Sequence, residues 1–264
     1  MRKLPAIVFC VLAVLSARSE DVVLGYVQDI VWADVGGSNF VASWSSAALS
    51  IPSNQVAHWK LNDSAASTVV IDSLGSYNGV ASRNTSLMST NGKLSTAFHI
   101  RKPSRDRVDI PHSDALDSTG SVTVCAWVYP QFNNSIYDNN YQIAEKTPHD
   151  SGWELVLSTD YVYIRGGGAT ALFDRSYRTT NRWDFIAMSI SGTMGKIYVN
   201  GVLTTNGTVN ALYHTGGYVI IGGTDSYYNY HFNGSIDDLR IFSRALSDSE
   251  IADMYNAGNG TESY

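Results

Sequence analysis

One stretch near the end of the chain, residues 232–247 (FNGSIDDLRIFSRALS), restricts the possible folds most. Its turn dipeptide Asn233-Gly234 precedes an alternation of apolar and polar residues and then a mainly apolar run, which predicts a strand entering a core. Ser247 and Glu250 have the spacing of a capping box, which predicts a short helix directly after the strand. The stretch therefore indicates a β protein whose chain closes with one short helix.

Two adjacent carboxylates, Asp237 and Asp238, lie on this predicted strand. Neighbouring strand residues point to opposite faces, so one of the two side chains must point inward or toward a ligand. A buried carboxylate needs a partner, and a bound cation is one of the few that suffice. The alternative is a pair of surface carboxylates that flank a turn.

Seven further short motifs precede this stretch in order: residues 56–62 (VAHWKLN), 70–79 (VIDSLGSYNG), 107–111 (RVDIP), 122–128 (VTVCAWV), 182–187 (RWDFIA), 196–201 (KIYVNG) and 221–223 (IGG). Together they resemble the laminin G-like, concanavalin A-like jelly rolls that occur as carbohydrate-binding or adhesion modules in secreted proteins. The resemblance implies an all-β fold over residues 55–260, an antiparallel β-sandwich (jelly roll) with a short C-terminal helix. Within it, Trp183 is expected to fill the core.

The polar loop at residues 72–79 (DSLGSYNG) offers carboxylate, amide and carbonyl oxygens, which are the ligands that hard cations prefer. In relatives such a loop lies against the Asp-bearing strand near the C-terminus and binds a structural calcium ion. The resemblance therefore implies a Ca²⁺ site formed by Asp72, Asn78 and Asp237, with backbone carbonyls completing the shell. The alternative is that Asp72 and Asn78 are ordinary turn residues with local backbone hydrogen bonds.

Two polar loops carry aromatic residues. Residues 131–141 contain Tyr137 and Tyr141, and residues 224–231 contain Tyr227, Tyr228 and Tyr230. Apolar faces of sugar rings stack on aromatic rings while amides and carboxylates bind hydroxyl groups, so these tyrosines are the candidate ligand-binding residues. The alternative is that the loops are lids packed onto the sandwich.

The sequence lacks a recognisable catalytic pattern or cofactor-binding motif. Glu145 and Glu154 each lie alone on a predicted strand, whereas retaining glycosidases need two carboxylates close together. The six histidines show no paired zinc spacing, and there is no Gly-x-Ser-x-Gly nucleophile motif. Catalysis is therefore the weaker hypothesis, although carboxylates from distant strands can still meet in space and form a glycoside hydrolase or lyase site.

The N-terminus has the pattern of a signal peptide over residues 1–19, with Arg2 and Lys3 before an apolar run that is too short to span a bilayer. We expect export and cleavage, no membrane span in the mature chain, and a secreted or extracellular location, with the periplasm or cell surface as variants. Residues 20–54 form a leader or extra strands. Only Cys125 then remains, which excludes an intrachain disulfide and is expected to be a small buried hydrophobe.

The chain has a net charge of −6 and no long basic run, which argues against nucleic acid as a partner. The sequence thus predicts a secreted, lectin-like carbohydrate-binding module with a structural calcium site and a glycan or polysaccharide as its partner. The alternatives are an adhesion or scaffold protein that binds extracellular proteins, and a polysaccharide-active enzyme on the same fold.

Overall fold

The computed structural model describes residues 27–34, 40–46, 51–132, 141–148, 152–177, 180–225 and 230–261. Its contacts divide the chain into two units, residues 1–48 and 49–264. In the first unit, β1 (Val27–Asp34) and β2 (Phe40–Ser46) form an antiparallel pair, with Trp32 opposite Ala42. These strands lie in the segment that the sequence predicts as a leader or extra strands. The predicted signal peptide falls outside the described residues.

The regular secondary structure of the second unit consists mainly of strands. In chain order they are β3 (Gln55–Trp59), β4 (Val69–Val70), β5 (Gly79–Ala81), β6 (Ser89–Asn91), β7 (Thr96–Ile100), β8 (Val108–Ile110), β9 (Ser121–Pro130), β10 (Tyr141–Lys146), β11 (Glu154–Leu157), β12 (Val162–Arg165), β13 (Ala171–Asp174), β14 (Asp184–Ser191), β15 (Met194–Val199), β16 (Val202–Thr208), β17 (Val219–Ile221) and β18 (Gly234–Phe242). One α-helix, α1 (Asp248–Tyr255), follows β18.

These strands form two antiparallel sheets. Sheet I has the order β13-β12-β11-β10-β17-β8-β5-β4, and sheet II has the order β16-β15-β14-β9-β18-β7-β6, with β3 also pairing with β18. The main core cluster contains residues of both sheets, among them Ile143 from sheet I and Ile186 from sheet II. The predicted antiparallel β-sandwich is therefore confirmed.

Strand β9 shows why these sequences form a sandwich. Its residues Val124, Ala126 and Val128 belong to the core between the sheets, whereas Cys125 and Trp127 belong to a second apolar cluster. Because successive strand residues point to opposite faces, the second cluster covers the outer face of sheet II. Cys125 is a fully buried free thiol, as predicted, and burial raises its pKa.

Helix α1 packs on that outer face. Ile251 and Met254 are buried in the second cluster, where they meet Trp127 and Phe185. The helix begins as the sequence predicts, because the Ser247 hydroxyl accepts the Glu250 backbone N–H while the Glu250 carboxylate accepts the Ser247 backbone N–H. Together these contacts dock the helix and fix its first turn.

The hairpin between β15 and β16 turns at Asn200-Gly201. Both residues have positive φ, 51° and 77°, which is the type I′ geometry that this dipeptide favours. Among the described residues, no helix is long and apolar enough to cross a membrane.

Candidate functional site

A cavity of about 320 Å³ opens on sheet II, bounded by β6, β7, β9, β18 and the segments that follow β9 and precede β14. It combines two aromatic rings with hydroxyl, amide and imidazole groups. The side chains that line it are Thr90, Asn91, His99, Tyr129, Gln131, Trp183 and Ser235.

Strand alternation places these side chains on the outer face. Phe98, Val128 and Ile236 are fully buried in the core between the sheets. Their chain neighbours His99, Tyr129 and Ser235 must therefore point away from that core. The pairing of β18 with both β7 and β9 sets Ser235 opposite His99 on one side and Tyr129 on the other. Register thus assembles one row of cavity residues from three strands.

The dipeptide Asn233-Gly234, which the sequence suggests as a turn, lies at the start of β18 and holds one rim of the cavity. The Gln131 backbone N–H donates to the Asn233 carbonyl at 2.8 Å, and the Asn233 side-chain amide donates to the Gln131 carbonyl at 2.6 Å. Gly234 has φ 134°, and a Cβ there would lie 2.1 Å from the Tyr129 carbonyl oxygen. Only glycine permits this approach, so Asn233 and Gly234 together position Tyr129 and Gln131.

Aromatic and polar groups occupy adjoining parts of the cavity. The rings of Tyr129 and Trp183 meet edge to face with their centroids 5.6 Å apart, and both side chains are half-buried. His99 Nδ1 lies 3.4 Å from the Ser235 hydroxyl, while the amides of Asn91 and Gln131 lie on exposed residues. Rings can stack on an apolar face, and amides offer both donors and acceptors. The arrangement suits a small ligand rich in hydroxyl groups.

This cavity is not predicted by the sequence. Trp183, which is predicted to fill the core, is half-buried: it packs against the second apolar cluster and lines the cavity. Strand parity could have identified Tyr129 and His99 as outward-facing residues. No sequence signal placed Asn91 and Gln131 beside them, since these residues meet only through sheet pairing.

The predicted aromatic loops are described only in part. Tyr137, Tyr227 and Tyr228 lie outside the described residues. Tyr141 is fully buried on β10, where its ring packs against Phe132 at 4.9 Å, so it offers no exposed face for stacking. For Tyr141, this burial fits the alternative that the loop residues pack onto the sandwich. Tyr230 is half-buried, and its carbonyl accepts the Gln142 backbone N–H at 2.8 Å.

The predicted calcium ligands take part in backbone hydrogen bonds. The Asp72 carboxylate accepts four backbone N–H groups, those of His58, Leu74, Ser76 and Tyr77, at 2.9–3.2 Å. Asn78 Oδ1 accepts the Asp72 N–H at 2.9 Å. Since a carboxylate has about four lone-pair sites, a cation could bind Asp72 only by replacing some of these bonds. This geometry does not suit Asp72 as a direct ligand, and calcium binding stays a prediction.

Asp237 and Asp238 have different surroundings. Asp237 Oδ2 accepts the Leu94 backbone N–H at 2.8 Å. Asp238 has φ 52°, at an irregularity between β18 and β9, and its carboxylate meets His58 Nε2 at 2.5 Å and Arg240 at 3.1 Å. The partner that a buried carboxylate needs is thus supplied for Asp238 by side chains of the protein.

This network also sets the protonation of Asp238. Burial alone would raise the pKa of the Asp238 carboxyl. The hydrogen bond from His58 and the charge of Arg240 outweigh burial and hold the pKa below its usual value. Arg240 is itself fully buried and also donates to the Thr261 carbonyl. Asp238 therefore stays ionised within the fold.

Glu145 and Glu154, which appear isolated in the sequence, are direct cross-strand partners on β10 and β11. Both are fully buried, Glu145 Oε1 accepts the Asp225 backbone N–H at 3.2 Å, and Glu154 Oε2 lies 3.5 Å from Arg165 Nη1. Sheet pairing thus brings together two carboxylates that lie nine positions apart in the chain.

The fold is a lectin-type β-sandwich. It has two packed antiparallel sheets, one short C-terminal helix and a cavity lined by aromatic and polar side chains. A laminin G-type family model, described as the concanavalin A-like lectin/glucanases superfamily, matches residues 102–252. The chain belongs to this superfamily. No curated protein matches it.

Solved structures with the same fold include toxin domains and a glycosidase domain. The receptor binding domain of the botulinum neurotoxin C/D mosaic serotype aligns with a TM-score of 0.60 and 18% identity over 76% of this chain and 51% of that chain. The binding domain of Paraclostridial Mosquitocidal Protein 1 gives 0.60 and 16% over 78% and 52%. This chain therefore spans about half the length of these toxin domains.

Domain 4 of AbnA, a GH43 extracellular arabinanase from Geobacillus stearothermophilus, was solved in complex with arabinotriose. It aligns with a TM-score of 0.58 and 21% identity over 76% of this chain and 97% of that chain. At such identities the similarity shows a shared fold.

Proposed function

We propose that the protein is a secreted carbohydrate-binding module and that the cavity on sheet II holds a glycan. One observation carries this proposal: the rings of Tyr129 and Trp183 adjoin four or more polar side chains in a single cavity on an outer sheet face. A sugar has apolar ring faces and a rim of hydroxyl groups, and this pairing of surfaces matches both. The loop tyrosines Tyr137, Tyr227 and Tyr228 remain predicted contributors.

Further support comes from the arabinanase domain, which aligns with this chain over 97% of its own length and was solved in complex with arabinotriose. Secretion rests on the predicted signal peptide. The predicted calcium ion is a separate part of the proposal, since the cavity residues include neither Asp72 nor Asp237.

The test is a titration of the chain with arabinotriose, xylotriose, cellotriose and maltotriose, followed by tryptophan fluorescence and calorimetry. We expect weak, saturable binding of at least one trisaccharide and a change in Trp183 fluorescence. Trp183→Ala should weaken that binding by roughly tenfold or more, because it removes the larger of the two stacking rings. The variant should still fold, since Trp183 is only half-buried.

Tyr218→Ala is the matched control, because this ring is 55% exposed and lies outside the cavity. It should bind the trisaccharide like the wild type. Equal affinities for the wild type and Trp183→Ala would refute the cavity as the binding site. No response to any sugar, together with capture of extracellular proteins, would favour the adhesion alternative.

The pairing of Glu145 with Glu154 favours a second candidate, a polysaccharide-active enzyme. Residues directly opposite on antiparallel strands point to the same face with Cβ atoms about 4.5–5.5 Å apart, so two acids stand side by side as retaining glycosidases require. Both side chains are fully buried, so this function requires an opening that admits the substrate. Turnover of a polysaccharide that disappears in both Glu145→Gln and Glu154→Gln would establish this function. Turnover that persists in both variants, or that is absent from the wild type, would refute it.

A further inference from the structure

A cluster of three potential metal ligands lies on the surface, away from the cavity described above. The Nε2 atoms of His112 and His214 lie 3.2 Å and 3.3 Å from the same oxygen, Asp114 Oδ1. One ligand atom from each residue lies within 4.8 Å of the others. His112 and Asp114 follow β8, whereas His214 belongs to the segment between β16 and β17, so the fold brings the cluster together.

A buried carboxylate lies next to the second ring nitrogen, Nδ1, of both histidines. Asp117 is almost fully buried, and its Oδ2 lies 3.0 Å from His214 Nδ1 and 4.0 Å from His112 Nδ1. With Nδ1 beside the Asp117 carboxylate, the His214 ring presents its other nitrogen, Nε2, to Asp114. An imidazole can bind a metal through Nε2 when it carries its proton on Nδ1. A carboxylate behind the second ring nitrogen is the usual support of a metal-binding histidine.

The loop around Asp117 is itself firmly held. The Asp117 carboxylate accepts the backbone N–H groups of Thr215 at 3.1 Å and Gly216 at 2.9 Å. Lys146 Nζ donates to the Gly217 carbonyl at 2.6 Å. These bonds fix the backbone that carries His214. The position of His214 is therefore preorganised.

Two of the three ligand separations fit a tetrahedral ion. Zinc binds imidazole nitrogen at about 2.0–2.1 Å and carboxylate oxygen at about 2.0–2.2 Å, so two ligands of one tetrahedral zinc ion stand roughly 3.3–3.5 Å apart. The two separations of 3.2 Å and 3.3 Å lie close to that range. Two imidazoles also favour zinc and similar transition metals over calcium, which prefers oxygen ligands.

We propose that His112, Asp114 and His214 bind a zinc ion, with Asp117 positioning His214. Three protein ligands leave a fourth position for water. The ion would join two surface segments whose ligands His214 and Asp114 stand 100 positions apart in the chain. The site is distinct from the predicted calcium site, whose residues are Asp72, Asn78 and Asp237.

The test uses the untagged chain, stripped with EDTA and then titrated with zinc chloride in a calorimeter. We expect one zinc ion per chain and a rise in melting temperature of about 5 to 10 °C at a hundredfold excess over the dissociation constant. Cobalt in place of zinc should give the visible absorption bands of a tetrahedral Co²⁺ site.

Asp114→Asn is the key variant, because the side chain is 88% exposed and its replacement should leave the fold intact. We expect it to weaken zinc binding at least tenfold, and His214→Ala to abolish binding. His99→Ala changes a half-buried histidine of the cavity and should keep full affinity for zinc. An absence of stoichiometric zinc binding, or equal binding by the wild type and Asp114→Asn, would overturn the site.

Discussion

The buried network around Asp238 should make a large contribution to stability. Asp238 is 3% exposed, His58 1% and Arg240 0%. Replacing Asp238 with alanine would remove the acceptor for His58 Nε2 and for the Nε and Nη2 atoms of Arg240, leaving the guanidinium buried without its counter-charge. Breaking a buried charge pair in this way destabilises proteins by about 3–5 kcal/mol.

That loss is measurable by two methods. For a folded unit of this size, 1 kcal/mol shifts the melting temperature by about 2–4 °C, so Asp238→Ala should lower it by roughly 6 to 20 °C at pH 7. Guanidinium chloride denaturation should show a lower midpoint with the same slope. The difference should shrink in acid, because a carboxyl with a lowered folded pKa stabilises above its unfolded pKa and loses that contribution as pH falls.

A double-mutant cycle separates the network from general damage. Asp238→Ala with Arg240→Met removes both charges, so the double variant should lose less stability than the sum of the two single variants. Lys196→Met is the surface control, since Lys196 pairs with the exposed Asp248 at 2.8 Å and should change stability by less than about 1 kcal/mol. If Asp238→Ala loses no more than this control, the reasoning is wrong.

Three further predictions concern single residues. Asp72→Ala should lower the melting temperature in EDTA as well as in calcium, because four backbone N–H groups lose their acceptor. If calcium instead raises the melting temperature of the wild type but not that of Asp72→Ala, the predicted Ca²⁺ site would be established. Burial lowers the pKa of His231 to about 4. The unfolded chain therefore takes up the proton first, and the stability of the folded state should fall as pH drops from about 6.5 to 4. Thermal melts of His231→Gln should show a flatter dependence of stability on pH, and a dependence equal to that of the wild type would contradict the assignment. Gly201→Ala, at φ 77°, should lower the free energy of unfolding by about 1–2 kcal/mol in denaturant titrations. Gly120→Ala, where an added Cβ has free space around it, should leave stability nearly unchanged. Similar losses in both variants would refute the role of the turn.

Local patterns predicted much of the fold. The strand that begins at Gly234, the burial of Cys125 and the capping box at Ser247 each depend on residues close together in the chain, and the structure contains all three. Each pattern reflects a local constraint, either side-chain alternation, positive φ or an unpaired N–H group.

The site could not be predicted in the same way. Asp238 meets His58 across 180 positions, and Ser235 meets His99 across 136. Such neighbours depend on strand order and register, which no local pattern specifies. The same applies to Glu145 and Glu154, which the sequence presents as isolated acids and which sheet I makes adjacent.

The position of β18 also has a consequence for biosynthesis. This strand pairs with β3, β7 and β9, yet it occupies residues 234–242 and so follows all three in the chain. In sheet II the early strand β3 pairs only with β18 among the described strands, so a growing chain cannot complete the sheet until β18 has been made. Completion of the sandwich therefore waits for β18, and the chain predicted to be exported stays open to translocation until residues 234–242 have been made.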